Sequence, residues 1–66
     1  MQIQLDGQPH QVPSGTTLAA LLLSLSQLPQ AVATSVNGVF VPRSQRESCV
    51  LQTGDAVLLF QPIVGG

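Results

Sequence analysis

At 66 residues, 44% of them apolar, the chain has room for one small domain whose core must be simple, with roughly 60% of the unfolded surface available for burial. Its two basic side chains, Arg43 and Arg46, share one short stretch and there is no lysine, which excludes binding to nucleic acid through phosphate neutralisation and to a membrane through a basic patch. The single Cys49 forms no internal disulfide, so the fold rests on its core, as suits a reducing compartment.

The opening "MQIQLDGQPHQV" alternates at Met1, Ile3 and Leu5, turns at Asp6-Gly7 and continues toward Val12, which predicts a hairpin with one buried face. After "PSG", Thr16 or Thr17 caps a helix whose Leu18, Leu21, Leu22, Leu25 and Leu28 fall at helical spacing, and Pro29 ends it. The run "LAALLLSL" is too short to span a bilayer and no basic residue precedes it, so a cytoplasmic location is expected. "AVATSVNGVFVP" places two β-branched runs around Asn37-Gly38, the dipeptide that most favours a two-residue hairpin turn. Pro42 stops the second run, and "RSQRES" reads as a polar connection or a single helical turn. "CVLQTGDAVLLFQ" begins as an apolar strand at Cys49, Val50 and Leu51. It then turns at Gly54-Asp55 into the segment from Ala56 to Gln61, apolar enough for a central strand covered on both faces.

A hairpin, a crossover helix, a second hairpin and a last strand place the first and final strands side by side beneath one helix. The expected fold is therefore α+β, a β-grasp or ubiquitin-like roll with a mixed sheet of four to five strands on one main helix. Residues 1–60 form this domain, and 61–66 form a flexible tail.

Few side chains offer chemistry of their own. His10, on the second strand, has few acid–base partners and reads as a surface or half-buried strand residue, and Cys49 reads as a small buried thiol, with a sulfur relay as its alternative. The titratable groups lack paired metal-ligand spacing, so no metal site is expected, and no catalytic residue. Arg43 and Arg46 read either as a solvated turn or as a small positive patch for an acidic partner.

The tail differs. From Gln61 to Gly66 the chain can extend by about 20 Å, enough to enter another protein's active site. Gly65 and Gly66 have no Cβ, so they pass a narrow channel and leave the last carbonyl open from either face. An ionised carboxylate is a poor electrophile, so it needs activation. Transfer of an adenylyl group from ATP supplies a leaving group that a sulfur nucleophile can displace.

"VNGVFVPR" and then "LQTGDAVLLFQPIVGG", behind the hairpin and the leucine helix, resemble the ThiS family of sulfur carriers in thiamine biosynthesis over essentially the whole chain. The resemblance implies that Gly66 is adenylated by a ThiF-type adenylyltransferase and converted to a thiocarboxylate with sulfur from a cysteine desulfurase or another donor. That thiocarboxylate then gives its sulfur to thiazole synthase, ThiG, for the thiazole phosphate ring. By the same resemblance Gly65 is the flexible neighbour of the modified residue, Ile63 and Val64 guide the tail into partners, and Phe60 lies on or near the recognition surface. The chain is then a carrier and not an enzyme. It holds no cofactor, and ATP and any metal belong to the activating partner. Two other functions use such a tail: the small carrier subunit of molybdopterin synthase, and a ubiquitin-like modifier or β-grasp interaction module.

Overall fold

The computed structural model describes residues 1–25 and 32–60. β1 (Gln2–Leu5) and β2 (Gln8–Gln11) form the first hairpin, α1 (Leu18–Ser24) follows, and β3 (Ala33–Val36) and β4 (Val39–Val41) form the second. A 3-10 turn over Arg43–Gln45 then leads toward β5 (Ala56–Phe60). The sheet order is β2-β1-β5-β3-β4, with β1 and β5 parallel and every other pair antiparallel. This is the expected β-grasp, with five strands and the last strand at the centre.

Both hairpins turn where the sequence places them, and for the same reason. Asp6 and Gly7 have φ of 50° and 80°, and Asn37 and Gly38 have 53° and 82°. Two successive positive φ values give the turn whose twist matches that of paired strands, and Asn, Asp and Gly are the residues that tolerate it.

α1 is held at its start. The Thr17 hydroxyl accepts from the Ala20 amide at 3.1 Å, and Leu18 N–H donates to the Cys49 carbonyl while Leu51 N–H donates to that of Thr16. The helix lays Leu18, Leu21 and Leu22 inward, and the core gathers Ile3, Val12, Leu18, Leu21, Val41, Leu51 and Val57. Leu25 packs partly against that cluster and already serves as the C-cap, so α1 ends at Ser24 and not at Pro29. Leu28 and Pro29 lie outside the described residues.

Three local expectations are corrected. Val50 makes one isolated bridge to Thr17, so "CVL" forms no strand; its backbone is spent on fastening the helix start. β5 is central but covered on one face only: Val57 is fully buried, whereas Leu58 and Phe60 are 47% and 45% exposed. Among the described residues one helix, of seven residues, covers one side of the sheet, and none covers the other. Arg46 belongs neither to a solvated turn nor to a positive patch, being only 4% exposed. Its Nε donates to Thr34 Oγ1 at 3.2 Å and a terminal nitrogen donates to the Val32 carbonyl at 2.7 Å, tying the segment after β4 to the start of β3. Burial, and then Arg43 nearby, lower its pKa from the ordinary guanidinium value.

Candidate functional site

The sheet places its final strand so that one face of it is presented outward. On β5, Val57 and Leu59 turn toward the core while Ala56, Leu58 and Phe60 take the other side, as the period of a strand requires. Pairing then aligns neighbours on that outer side. Leu58 stands opposite Ser35, Ser35 opposite Phe40, and Phe60 opposite Ala33. Phe40 is 60% exposed, so an apolar surface of Phe40, Leu58 and Phe60 runs across β4, β3 and β5. On the remaining strands the same face carries three glutamines and Pro9: Gln2 lies opposite Gln11, whose Nε2 donates to Gln2 Oε1 at 3.1 Å, and Gln4 lies opposite Pro9.

Phe60 therefore occupies the outer face at the last described position of β5. Ile63, Val64, Gly65 and Gly66 lie outside the described residues, as does the whole of 61–66. Phe40 was not singled out by its sequence, although the signal was present. A two-residue turn at Asn37-Gly38 fixes Val39 opposite Val36 and hence Phe40 opposite Ser35, on the side away from Thr34 and Val41.

The end of β5 is flanked by a feature that composition did not reveal. The Leu59 N–H donates to Asp6 Oδ1 at 3.1 Å, across the turn that ends β1. At the opposite end of the strand, Asn37 Oδ1 accepts from Ala56 N–H and Asn37 Nδ2 donates to Asp55 Oδ1, each at 3.0 Å. Asp55 Oδ2 also accepts from Gln52 N–H at 2.8 Å, so the Gly54-Asp55 turn is stapled to the second hairpin.

The other singled-out side chains are placed apart from this face. His10 pairs with Ile3 and so shares its side of the sheet; it is half-buried and lines a groove of about 480 Å³ with Thr16, Ala20, Ser24 and Leu25. Cys49 is half-buried against the core. Among the described residues no three His, Cys, Asp or Glu side chains come together as metal ligands, and no helix is long and apolar enough to cross a membrane.

Against known proteins, the model of the ThiS family matches residues 2–66. The chain is 41% identical over its full length to the sulfur carrier protein ThiS of Escherichia coli, which it covers completely. It is 39% identical over 66 residues to a thiazole synthase of Magnetococcus marinus, of which it spans 20%. A crystal structure of the thiamine biosynthesis protein ThiS from Geobacter metallireducens superposes with a TM-score of 0.89 at 25% identity, each chain covered in full. A solution structure of a thiamine biosynthesis protein from the same organism gives 0.80, also at 25% identity, with all of this chain and 88% of the other covered.

Proposed function

The chain belongs to the ThiS family, and on that footing we propose that it carries sulfur for thiamine biosynthesis as a thiocarboxylate on Gly66. The full-length identity to the E. coli sulfur carrier is the observation on which the proposal rests. In the first step the Gly66 carboxylate attacks the α-phosphorus of ATP on a ThiF-type adenylyltransferase, forming an acyl adenylate and releasing pyrophosphate. A persulfide sulfur from a cysteine desulfurase or another donor then displaces AMP to give an acyl disulfide, and a thiol reductant cleaves its S–S bond to free the thiocarboxylate; a donor of sulfide itself gives the thiocarboxylate directly. Adenylation is required because carboxylate oxygen is a poor leaving group and AMP is a good one. ATP and any metal act within the activating partner, and the carrier is its co-substrate, working in the cytoplasm.

The acceptor is thiazole synthase, ThiG, to which the thiocarboxylate delivers sulfur for thiazole phosphate. Support comes from the Magnetococcus marinus thiazole synthase, which contains a stretch resembling this whole chain. Gly65 and Gly66 pass the active-site channel because neither has a Cβ, and Ile63 and Val64 seat the segment ahead of them. Residues 61–66 act as the tail and 1–60 as the body that partners grip. The partner that engages a tail starting just after Phe60 lies over the outer face of the sheet, where Phe60, Leu58 and Phe40 offer apolar contact.

Incubation with a ThiF-type enzyme, ATP and a sulfur donor is expected to raise the intact mass by the difference between sulfur and oxygen, and the product to react with an alkylating reagent. Adducts on lysines of other proteins would instead support a modifier. No gain in mass, with the activating enzyme shown to be competent, would leave a β-grasp interaction module.

A further inference from the structure

We infer that Asp6 is a positioning residue that holds β5 in place at Leu59, close to the residues the carrier reading assigns to the tail; this rests on that reading. Backbone direction along β5 shows why a side chain is needed. The Ala56 carbonyl accepts from Asn37 N–H, so Ala56 faces β3, while the Val57 carbonyl accepts from Asp6 N–H, so Val57 faces β1. By the period of two, Leu59 also faces the β1 flank. Yet β1 pairs with β5 only through Gln4 with Ala56 and Leu5 with Val57, and the chain then bends away through the positive φ of Asp6 and Gly7. The next rung of the parallel ladder is made by the Asp6 carboxylate, whose Oδ1 accepts from Leu59 N–H at 3.1 Å.

Asp6 is held rigidly enough for this work, since its own amide is bonded to the Val57 carbonyl at 2.9 Å. One residue thus grips β5 at two successive β1-facing positions, Val57 through its backbone and Leu59 through its side chain. Leu59 precedes the first tail residue, Gln61, by two positions. On the other flank the strand is held to the same point by Phe60 opposite Ala33. Releasing the Asp6 rung frees one flank of β5 at Leu59, so that this part of the strand is held in its place for a smaller fraction of the time. An enzyme that accepts the strand in that one place then meets a smaller competent fraction of carrier, which raises KM; kcat, set once the carrier is seated, stays unchanged.

Two substitutions separate this role from a charge recognised by the partner. Asp6→Gly keeps the positive φ and removes the acceptor, and Asp6→Asn keeps both the φ and an acceptor oxygen but removes the charge. With the ThiF-type enzyme and ATP, Asp6→Gly is expected to raise the carrier's KM about three- to tenfold, the loss of one hydrogen bond, at constant kcat, and to speed hydrogen exchange at the Leu59 amide. Asp6→Asn should restore both values. An unchanged KM in Asp6→Gly, or equal impairment in the two variants, would overturn the inference, the second result pointing to a direct charge contact. A wild-type chain that takes no adenylate from a competent enzyme would overturn the carrier reading, and this role with it.

Discussion

Arg46 illustrates how much a single side chain can carry in a small domain. Its guanidinium is buried and donates to a hydroxyl of β3 and to the Val32 carbonyl just ahead of it, while the Thr34 hydroxyl donates a hydrogen bond to the Val41 carbonyl at 3.0 Å. Removing the fork takes a donor from the buried Thr34 hydroxyl and from the part-buried Val32 carbonyl, so Arg46→Ala should lower the free energy of unfolding by about 1–3 kcal/mol. Arg46→Lys should recover little, because an ammonium cannot reproduce the planar fork. Arg43 is exposed, and Arg43→Ala should stay within about 0.5 kcal/mol of wild type; urea denaturation of the three variants checks the contrast. On the proposed carrier role, Gly66→Phe is expected to leave the domain folded and to take no adenylate, since a ring at that residue would block a narrow channel; a variant charged at the wild-type rate would remove the steric argument.

Elements were legible in the sequence wherever chemistry was local. The Asn37-Gly38 turn is the clearest case: its left-handed pair of residues sets the register of β3 and β4, and nothing lies within 4 Å of a Cβ added at Gly38. The cost of Gly38→Ala is therefore backbone conformation alone, about 1–2 kcal/mol, and a thermal melt should show it without any change in the folded chain's spectrum. A threonine cap and the inward leucines of α1 followed from spacing in the same way, and the fold chose Thr17 over Thr16. What spacing could not convey was which apolar residues the fold leaves uncovered. "AVLLF" is apolar on both sides of the strand, so its pattern does not distinguish Val57, fully buried, from Leu58, half in solvent; only the placement of one short helix on one face decides it. Arg46 was misread for a kindred reason, because its partners Val32 and Thr34 are more than ten residues away and charge in a polar stretch reads as surface. Asp6 was visible as a turn residue, but its bond to Leu59 spans 53 positions of sequence and exists only once β1 and β5 are adjacent.

At the scale of the whole molecule, the two faces of the sheet divide the labour: one is closed by α1 and supplies stability, the other is uncovered and uncharged among the described residues, with Phe40 on β4, Ala33 and Ser35 on β3, Leu58 and Phe60 on β5, and glutamines on β1 and β2. The chain's charges sit at the turns, with Asp6 and Asp55 beside the sheet ends and Arg43 and Glu47 around the 3-10 segment, while Arg46 is buried. A partner that grips the open face consequently gains little from Coulomb attraction, and association should depend on ionic strength only weakly. Between about 0.05 M and about 0.5 M salt, where exposed charges become largely screened, the Kd for the adenylating enzyme is expected to change no more than about twofold. Leu58→Asp, at a site half in solvent where the fold tolerates a charge, should weaken the same complex more than tenfold on the order of a buried, unpaired carboxylate. A Kd that rises steeply with salt, together with an indifferent Leu58→Asp, would move the contact from the sheet face to the charged turns and leave the tail as the sole apolar element of recognition.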